Sequence, residues 1–198
     1  MKTANRFDTR KLVLLALLTA LVVILQYLGA FIKFGPFSIT LVLMPIAVGA
    51  ALVGAYAGAW LGLVFGLVVL LTGDAAPFLA VNPLGTIIVV LLKGALAGLV
   101  AGVAYKLLEK HGRTLAVIVA AALCPIVNTG IFIIGSYMFF LPTITGWAEA
   151  LGFATGTAYI FIGMIGVNFF VEFGLNLILI PVIVRLIQFG QKKRMPAP

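Results

Sequence analysis

Two charged side chains interrupt long apolar runs of this sequence. Lys93 and Glu172 each lie within a stretch of apolar residues that is long enough to cross a bilayer. Insertion of such a charge costs about 2.5–3.5 kcal/mol, and side chains of this kind usually face a cavity or each other. At 1.5 Å per helical residue, Lys93 lies roughly 13 Å from the nearer end of its run, and Glu172 lies at a comparable depth. A polar ligand site is the first interpretation of such residues.

Asparagines extend this polar set. Asn168, Glu172 and Asn176 are spaced at i, i+4 and i+8, so they form one stripe along an otherwise apolar helix. Asn128 falls near the same depth in a different apolar run. We therefore predict a substrate-binding site formed by Asn128, Asn168 and the two charged residues. Asn176 lies deeper towards the cytoplasm and is a weaker candidate. The alternative is a structural ion pair with amide hydrogen bonds that joins the helices and binds no ligand.

The groupings of residues that enzymes need are missing from the sequence, namely a nucleophile with its base, a cluster of metal ligands or paired carboxylates. Its five acidic residues are too scattered to form a metal-binding motif, and Cys124 and His111 are the only cysteine and histidine. No GxxxxGK[ST] phosphate-binding loop is present. We therefore expect no catalytic residue, no metal and no cofactor, and a role in binding or transport remains.

The composition places these residues in a membrane protein. Hydrophobic residues make up 64% of the 198-residue chain and charged residues only 9%, which is too few to cover the surface of a soluble domain. A net charge of +8 would suggest nucleic acid as the partner of a soluble protein, but here the distribution of the charges decides their meaning. We expect a lipid bilayer and no nucleic acid.

The apolar runs predict an all-α integral membrane protein, a compact bundle of six transmembrane helices in a single membrane domain of residues 1–198. The helices are expected at residues 12–32, 39–56, 57–71, 84–104, 115–140 and 157–187. The first run exceeds the length of a signal peptide's apolar region and lacks a small-x-small cleavage site, so we expect it to be retained. The stretches at 72–83 and 142–156 are expected to be connecting loops.

Basic residues orient the bundle. Lys33 lies on one side of a six-helix topology and Lys93 within the membrane. The other eleven fall on the opposite side: Lys2, Arg6, Arg10, Lys11, Lys106, Lys110, Arg113, Arg185, Lys192, Lys193 and Arg194. Because positively charged loops stay in the cytoplasm, we expect both termini to be cytoplasmic in a protein of the cell membrane.

Small residues at every fourth position predict close contacts between helices. Two glycine series show this spacing, 54, 58, 62 and 66, and 94, 98 and 102. Ala16 and Ala20 form a similar face on the first helix. That face is either a docking surface for another membrane subunit or a packing surface within the bundle, and spacing alone favours packing.

Three segments carry a resemblance to the substrate-binding S components of energy-coupling factor (ECF) vitamin transporters. They are ITLVLMPIAVGAALVGAYAGAWLGLVFGLVVLLTGD at 39–74, NPLGT at 82–86 and PIVNTG at 125–130, and they are similar to the pantothenate and riboflavin branches of that family. The resemblance covers essentially the whole chain. It implies a subunit that takes a vitamin from outside beneath loops at 33–38, 72–83 and 141–156.

The same resemblance implies partners. Ala16 and Ala20 match the family's AxxxA face, which docks on a shared coupling subunit in the membrane. A pair of ATPases energises the assembly, and the binding subunit is thought to topple in the membrane to release its vitamin. The resemblance therefore raises the docking interpretation of the alanine face above its packing alternative.

Several ligands fit the predicted site. Pantothenate is our first candidate, with Lys93 meeting its carboxylate and the asparagines meeting its neutral polar groups. A pair of Lys93 and Glu172 that neutralise each other would suit riboflavin, the second candidate. A free Glu172 would suit an amine such as thiamine or a pyridoxine relative.

Two other classes of protein stay open on the sequence. A stand-alone, ion-coupled secondary transporter would use Lys93 and Glu172 as an ion or proton relay, although the sequence shows no inverted repeat. A structural membrane subunit would have no ligand, and exchange of the two charged residues would then leave every activity intact.

Overall fold

The long apolar runs fold as helices, because in lipid a helix satisfies its backbone hydrogen bonds within one segment. The computed structural model describes residues 9–31, 33–34, 37–38, 41–179, 181–182 and 184–185. Its α-helices are α1 Thr9–Gly29, α2 Leu43–Leu52, α3 Ala55–Thr72, α4 Ala76–Val81, α5 Pro83–Leu108, α6 Arg113–Gly135, α7 Leu141–Ala150, α8 Gly156–Ala158 and α9 Val167–Ile178. Two π-helical segments, π1 Ser136–Phe140 and π2 Tyr159–Gly166, continue α6 and α8. An antiparallel pair of two-residue strands, β1 Lys33–Phe34 and β2 Phe37–Ser38, follows α1.

Five helical segments of the described chain are long and apolar enough to cross a membrane. They are Thr9–Gly29, Ala55–Thr72, Pro83–Leu108, Arg113–Ala150 and Gly156–Ile178. The predicted helix at 39–56 is shorter than expected, since α2 has ten residues and spans about 15 Å. The structure thus confirms a helical membrane bundle, and the sixth crossing stays a prediction, as does the single domain of residues 1–198.

Both connecting stretches that the sequence predicts as loops contain helices, so this prediction is wrong. Between α3 and α5 lies α4, and between π1 and α8 lies α7. Pro77 and Pro142 each fall in the first turn of these helices. A proline is well tolerated there, because its missing N–H has no intrahelical acceptor in the first turn.

Glycines allow α3 and α5 to pack at backbone contact, as their spacing predicts. A Cβ on Gly58 would collide with the carbonyl of Gly98, and one on Gly62 with the carbonyl of Gly94. Residue numbers rise along one helix as they fall along the other, so the two helices are antiparallel. Gly54 does not belong to this contact, since it forms the turn between α2 and α3 at a φ of 134°.

Two hydrogen bonds show that α1 and α3 run in the same direction. The indole N–H of Trp60 donates to Thr19 Oγ1 at 3.3 Å, and Gln26 Nε2 donates to Asp74 Oδ2 at 3.0 Å, just beyond the end of α3. Ala16 and Ala20 of α1 are exposed. Packing within the described bundle therefore does not account for the alanine face.

An aromatic cluster joins the short helices to the bundle. Phe78 of α4 is buried, and its ring packs edge-on against Phe132, Phe140 and Trp147 at centroid distances of 5.9, 4.9 and 5.5 Å. These partners lie on α6, π1 and α7. The cluster therefore holds α4 and α7 against one end of the bundle.

The terminal residues lie partly outside the described chain. This holds for the basic residues Lys2, Arg6, Lys192, Lys193 and Arg194, and for the predicted extension of the last helix beyond residue 185. The position of both termini stays a prediction.

Candidate functional site

A cavity lies among α1, α3, α4, α5, α6, both π-helical segments and α9. Its empty volume is about 840 Å³, including the space that opens to the outside. Its polar lining comprises Gln26, Asp74, Thr86, Lys93, Asn128, Thr129, Asn168 and Glu172, and its aromatic lining comprises Phe65, Phe78, Phe132, Phe140 and Phe169. The cavity has the mixed apolar and polar lining of a small-molecule site.

All four residues of the predicted site line this one cavity, although they come from three helices. Lys93 lies on α5, Asn128 on α6, and Asn168 and Glu172 on α9. Asn176 does not line the cavity, and its Nδ2 donates to the backbone carbonyl of Glu172 at 2.9 Å. Their convergence is a structural fact, whereas their role in binding a substrate stays a prediction.

The side chain of Lys93 reaches a partly aromatic environment. Its Nζ lies 5.6 Å from the centroid of the Phe65 ring and 5.8 Å from that of Phe132. The carboxylates of Glu172 and Asp74 both interact electrostatically with it. Ring faces and carboxylates stabilise the ammonium group in place of bulk water. The ammonium group of Lys93 therefore interacts with carboxylates and ring faces of the protein.

Two asparagines present carbonyl oxygens that lack a partner. Asn128 and Asn168 are only 6% and 8% exposed, and their Oδ1 atoms accept no hydrogen bond from any residue that the structure describes. A buried polar atom left in this way costs about 1–3 kcal/mol. Both amides are thus available to a ligand that enters the cavity.

Sequence reasoning missed four polar residues of the cavity, which are Gln26, Asp74, Thr86 and Thr129. Gln26 is 2% exposed, and the Asp74 carboxylate that it contacts also accepts a hydrogen bond from Thr72 Oγ1 at 3.4 Å. Gln26 could have been predicted, because it places a polar amide within the otherwise apolar first run. Asp74 had a weaker signal, since it falls in a stretch that reads as a polar loop.

The start of α5 is fixed by a side-chain cap. Asn82 Oδ1 accepts the backbone N–H of Gly85 at 2.9 Å, and Pro83 occupies the first helical turn. Helical spacing then places Thr86, Val90 and Lys93 on the face that lines the cavity. The cap therefore sets the register of the helix that carries Lys93.

Both π-helical segments contribute to the wall. Phe140 of π1 and Met164 and Ile165 of π2 line the cavity. A π-helical turn inserts extra residues into a helix and re-aims the side chains around it, and such turns occur frequently at functional sites. The π-helical segments thus form part of the cavity wall next to α6 and α9.

A cavity lined by charged and amide side chains, inside a bundle of membrane-length helices, is typical of membrane proteins that bind or transport small molecules. Residues 10–184 match the family described as ECF transporter, substrate-specific component. The match covers most of the chain, and the chain belongs to this family. A comparison with individual curated proteins gave no match.

Family membership confirms the resemblance seen in the sequence. The protein is a multi-pass membrane protein and a substrate-specific subunit of an ECF transporter, a class of binding subunits and not of enzymes. The match does not specify the pantothenate or riboflavin branch.

Proposed function

We propose that this protein captures a water-soluble vitamin from outside the cell for ATP-driven uptake across the cell membrane. The observation that carries the proposal is the single cavity that brings Lys93, Asn128, Asn168 and Glu172 together within the membrane bundle. Family membership supports a substrate-specific subunit. ATP hydrolysis belongs to partner subunits in this proposal.

The proposed partners are a coupling subunit in the membrane and two ATPase subunits. The surface proposed for docking on the coupling subunit is the exposed face of α1 around Ala16 and Ala20. Two alanines four residues apart leave a smooth strip on which another helix can approach closely. Their exposure supports this assignment.

Pantothenate is the first candidate that the sequence gives, and riboflavin is the second. Lys93 would meet the carboxylate of pantothenate, and the amides of Asn128 and Asn168 would meet its hydroxyl and amide groups.

The experiment is a ligand titration of the purified protein alone in detergent. Calorimetry and thermal unfolding would be recorded with pantothenate, riboflavin, thiamine, biotin, folate and pyridoxine. A ligand that binds only the folded state raises the unfolding temperature. We expect submicromolar binding of one vitamin without any partner, and silence of a folded sample across the panel would contradict the proposal.

A double variant tests whether the cavity is the site. Lys93→Met with Glu172→Leu should abolish the binding of that vitamin, because both charges of the predicted site are removed. Lys106→Met with Glu109→Leu is the matched control, since it exchanges the same residue types at exposed positions outside the cavity. Retained binding in the Lys93 and Glu172 variant would remove the site assignment.

A stand-alone secondary transporter is the second candidate, supported by the electrostatic contact between Lys93 and Glu172. The protein alone in liposomes would then accumulate its substrate when an ion gradient is imposed. Uptake that requires the coupling subunit and ATP, and not an ion gradient, would exclude this candidate.

A further inference from the structure

Gln26 reaches the cavity from α1, a helix that carries no residue of the predicted substrate site. Its side chain lines the cavity and is only 2% exposed. An amide that is removed from bulk water in this way needs hydrogen-bond partners for both its nitrogen and its oxygen. The partners of these two atoms therefore decide what Gln26 can do in the cavity.

The nitrogen of the Gln26 amide is bound by Asp74. Nε2 donates to Asp74 Oδ2 at 3.0 Å. Asp74 directly follows Gly73, which ends α3 in the left-handed conformation at a φ of 83°. Thr72 Oγ1 donates to the same carboxylate oxygen at 3.4 Å. The end of α3 thus holds the acceptor that Gln26 uses.

This hydrogen bond also fixes the orientation of the amide. A carboxylate accepts hydrogen bonds and an amide oxygen cannot donate one, so the nitrogen must face Asp74. Oε1 then points away from Asp74, and it accepts no hydrogen bond from any part of the chain that the structure describes. A buried oxygen in this state is unfavourable until a donor reaches it.

Gln26 is one of three residues of this kind around the cavity. Asn128 and Asn168 also line it, and their Oδ1 atoms likewise lack a donor among the described residues. The three oxygens come from α1, α6 and α9. Acceptors on three helices around one cavity indicate a ligand that brings hydrogen-bond donors on more than one side.

We propose that Gln26 is a further substrate-binding residue, whose Oε1 accepts a hydrogen bond from an N–H or O–H group of the vitamin. This inference rests on the proposed function, because it takes the cavity to be the vitamin site. The group that meets Gln26 is not a carboxylate, since a carboxylate brings no donor. In pantothenate this leaves the hydroxyl and amide groups, and in riboflavin the ring N–H and the hydroxyls of the side chain.

The test replaces Gln26 by methionine, which keeps the length of the side chain and removes the amide. Calorimetry of the purified protein would compare pantothenate, riboflavin, thiamine, biotin, folate and pyridoxine. For the vitamin that the unchanged protein binds most tightly, Gln26→Met should weaken binding about tenfold, because one hydrogen bond to the vitamin is lost.

Thr19→Val is the matched control. Thr19 lies on the same helix, and its Oγ1 accepts a hydrogen bond from Trp60 of α3, but it does not line the cavity. Valine keeps the size of the side chain and removes the hydroxyl. The affinity for the same vitamin should therefore stay near that of the unchanged protein. Equal losses in Thr19→Val and Gln26→Met would assign Gln26 to the packing of α1 and overturn the inference.

Methylated analogues of that vitamin show whether Gln26 meets one of its donors. Each analogue has a methyl group on a single N–H or O–H group, as 3-methylriboflavin has for riboflavin. Methylation of the donor that meets Gln26 should weaken binding to the unchanged protein and cost little in Gln26→Met. Methylation elsewhere should cost the same in both proteins. A merely structural role of Gln26 would lower the affinity for the vitamin and all its analogues by the same factor.

The outcomes separate this inference from the proposed function. A vitamin that binds the unchanged protein and Gln26→Met equally well would overturn the inference and leave vitamin binding intact. Methylation costs that are equal in the two proteins for every analogue would overturn it too. If the folded, unchanged protein binds none of the vitamins, the proposed function fails and the inference fails with it.

Discussion

Asn128 is a residue of the proposed site whose buried amide is predicted to lower the stability of the bundle and to bind the ligand. The side chain is buried, and its oxygen accepts no hydrogen bond from the described residues. Replacement of an unsatisfied polar atom by an apolar group of similar size is neutral or stabilising. Asn128→Leu should therefore unfold at an unchanged or higher temperature without ligand, and bind the vitamin at least about tenfold more weakly. Thermal unfolding and calorimetry of the same sample measure both effects.

Asn176 provides the control for this prediction. Its Nδ2 is hydrogen-bonded to the carbonyl of Glu172, and it does not line the cavity. Asn176→Leu should leave vitamin affinity near that of the unchanged protein. If Asn128→Leu instead lowers the unfolding temperature and retains its affinity, the amide is structural and the residue leaves the proposed site.

Residue type alone made part of the site predictable. Lys93 and Glu172 stand out because a charge within an apolar run is expensive, and the asparagines stand out for the same reason on a smaller scale. Asp74 does not, since a carboxylate in a polar stretch needs no explanation. Its place in the cavity depends on the contact with Gln26, which is 48 residues away in sequence. A single sequence does not show contacts of this range.

At the scale of elements, helix prediction worked where hydropathy decides and failed where short-range turn chemistry decides. Five helical segments reach membrane length, whereas the run at 39–56 gives only the ten-residue α2. The close contact that the glycine spacing predicts is found between α3 and α5. The composition of 76–81 and 141–150 suggested loops, because proline and small residues also mark turns. In the first of these segments, α4, the side chain of Phe78 is buried and packs against the Phe140 ring.

The contact between α3 and α5 predicts a strong effect of one methyl group. Gly62→Ala places a Cβ against the carbonyl of Gly94, so the helices must separate. Overpacking of this kind costs about 1–3 kcal/mol. Because Phe65 and Lys93 face each other across the same contact, vitamin affinity should fall as well. Thermal unfolding in detergent and calorimetry measure the two effects.

Gly130 of α6 is the matched control for this change. A Cβ at Gly130 meets nothing within 4 Å, although the residue is also in the interior of a helix. Gly130→Ala should leave the unfolding temperature unchanged or raise it, since alanine favours a helix over glycine by up to about 1 kcal/mol. Equal effects of the two substitutions would contradict the close packing of α3 and α5.

The exposed face of α1 predicts a separation of binding from uptake. Ala16→Leu with Ala20→Leu adds bulk where the coupling subunit is proposed to approach, and both positions lie outside the cavity. The double variant should bind the vitamin normally in detergent and lose most uptake in cells that contain the coupling and ATPase subunits. Ala150→Leu, at an exposed position of α7, should retain uptake. Full uptake by the α1 variant would remove the docking assignment.

At the scale of the whole molecule, helix directions constrain the topology even though α2 is short. The hydrogen bonds between α1 and α3 make these helices parallel, and the glycine contacts make α3 and α5 antiparallel. The start of α1 and the end of α5 are therefore on the same side of the bundle. The basic residues Lys11 and Lys106 lie at these two helix ends. The structure thus places these two basic helix ends on one side of the bundle, and the assignment of that side to the cytoplasm stays a prediction.

Thiol labelling tests that orientation directly. In a Cys124→Ala background, single cysteines at His111, Glu149 and Thr3 would be treated in intact cells with a membrane-impermeant thiol reagent. We expect labelling of Glu149→Cys only, because six crossings with cytoplasmic termini place the other two positions inside. Labelling of His111→Cys and Thr3→Cys in place of Glu149→Cys would invert the protein. Labelling of Thr3→Cys together with Glu149→Cys would mean that the N-terminus and residue 111 lie on opposite sides, and that the chain crosses an odd number of times between them.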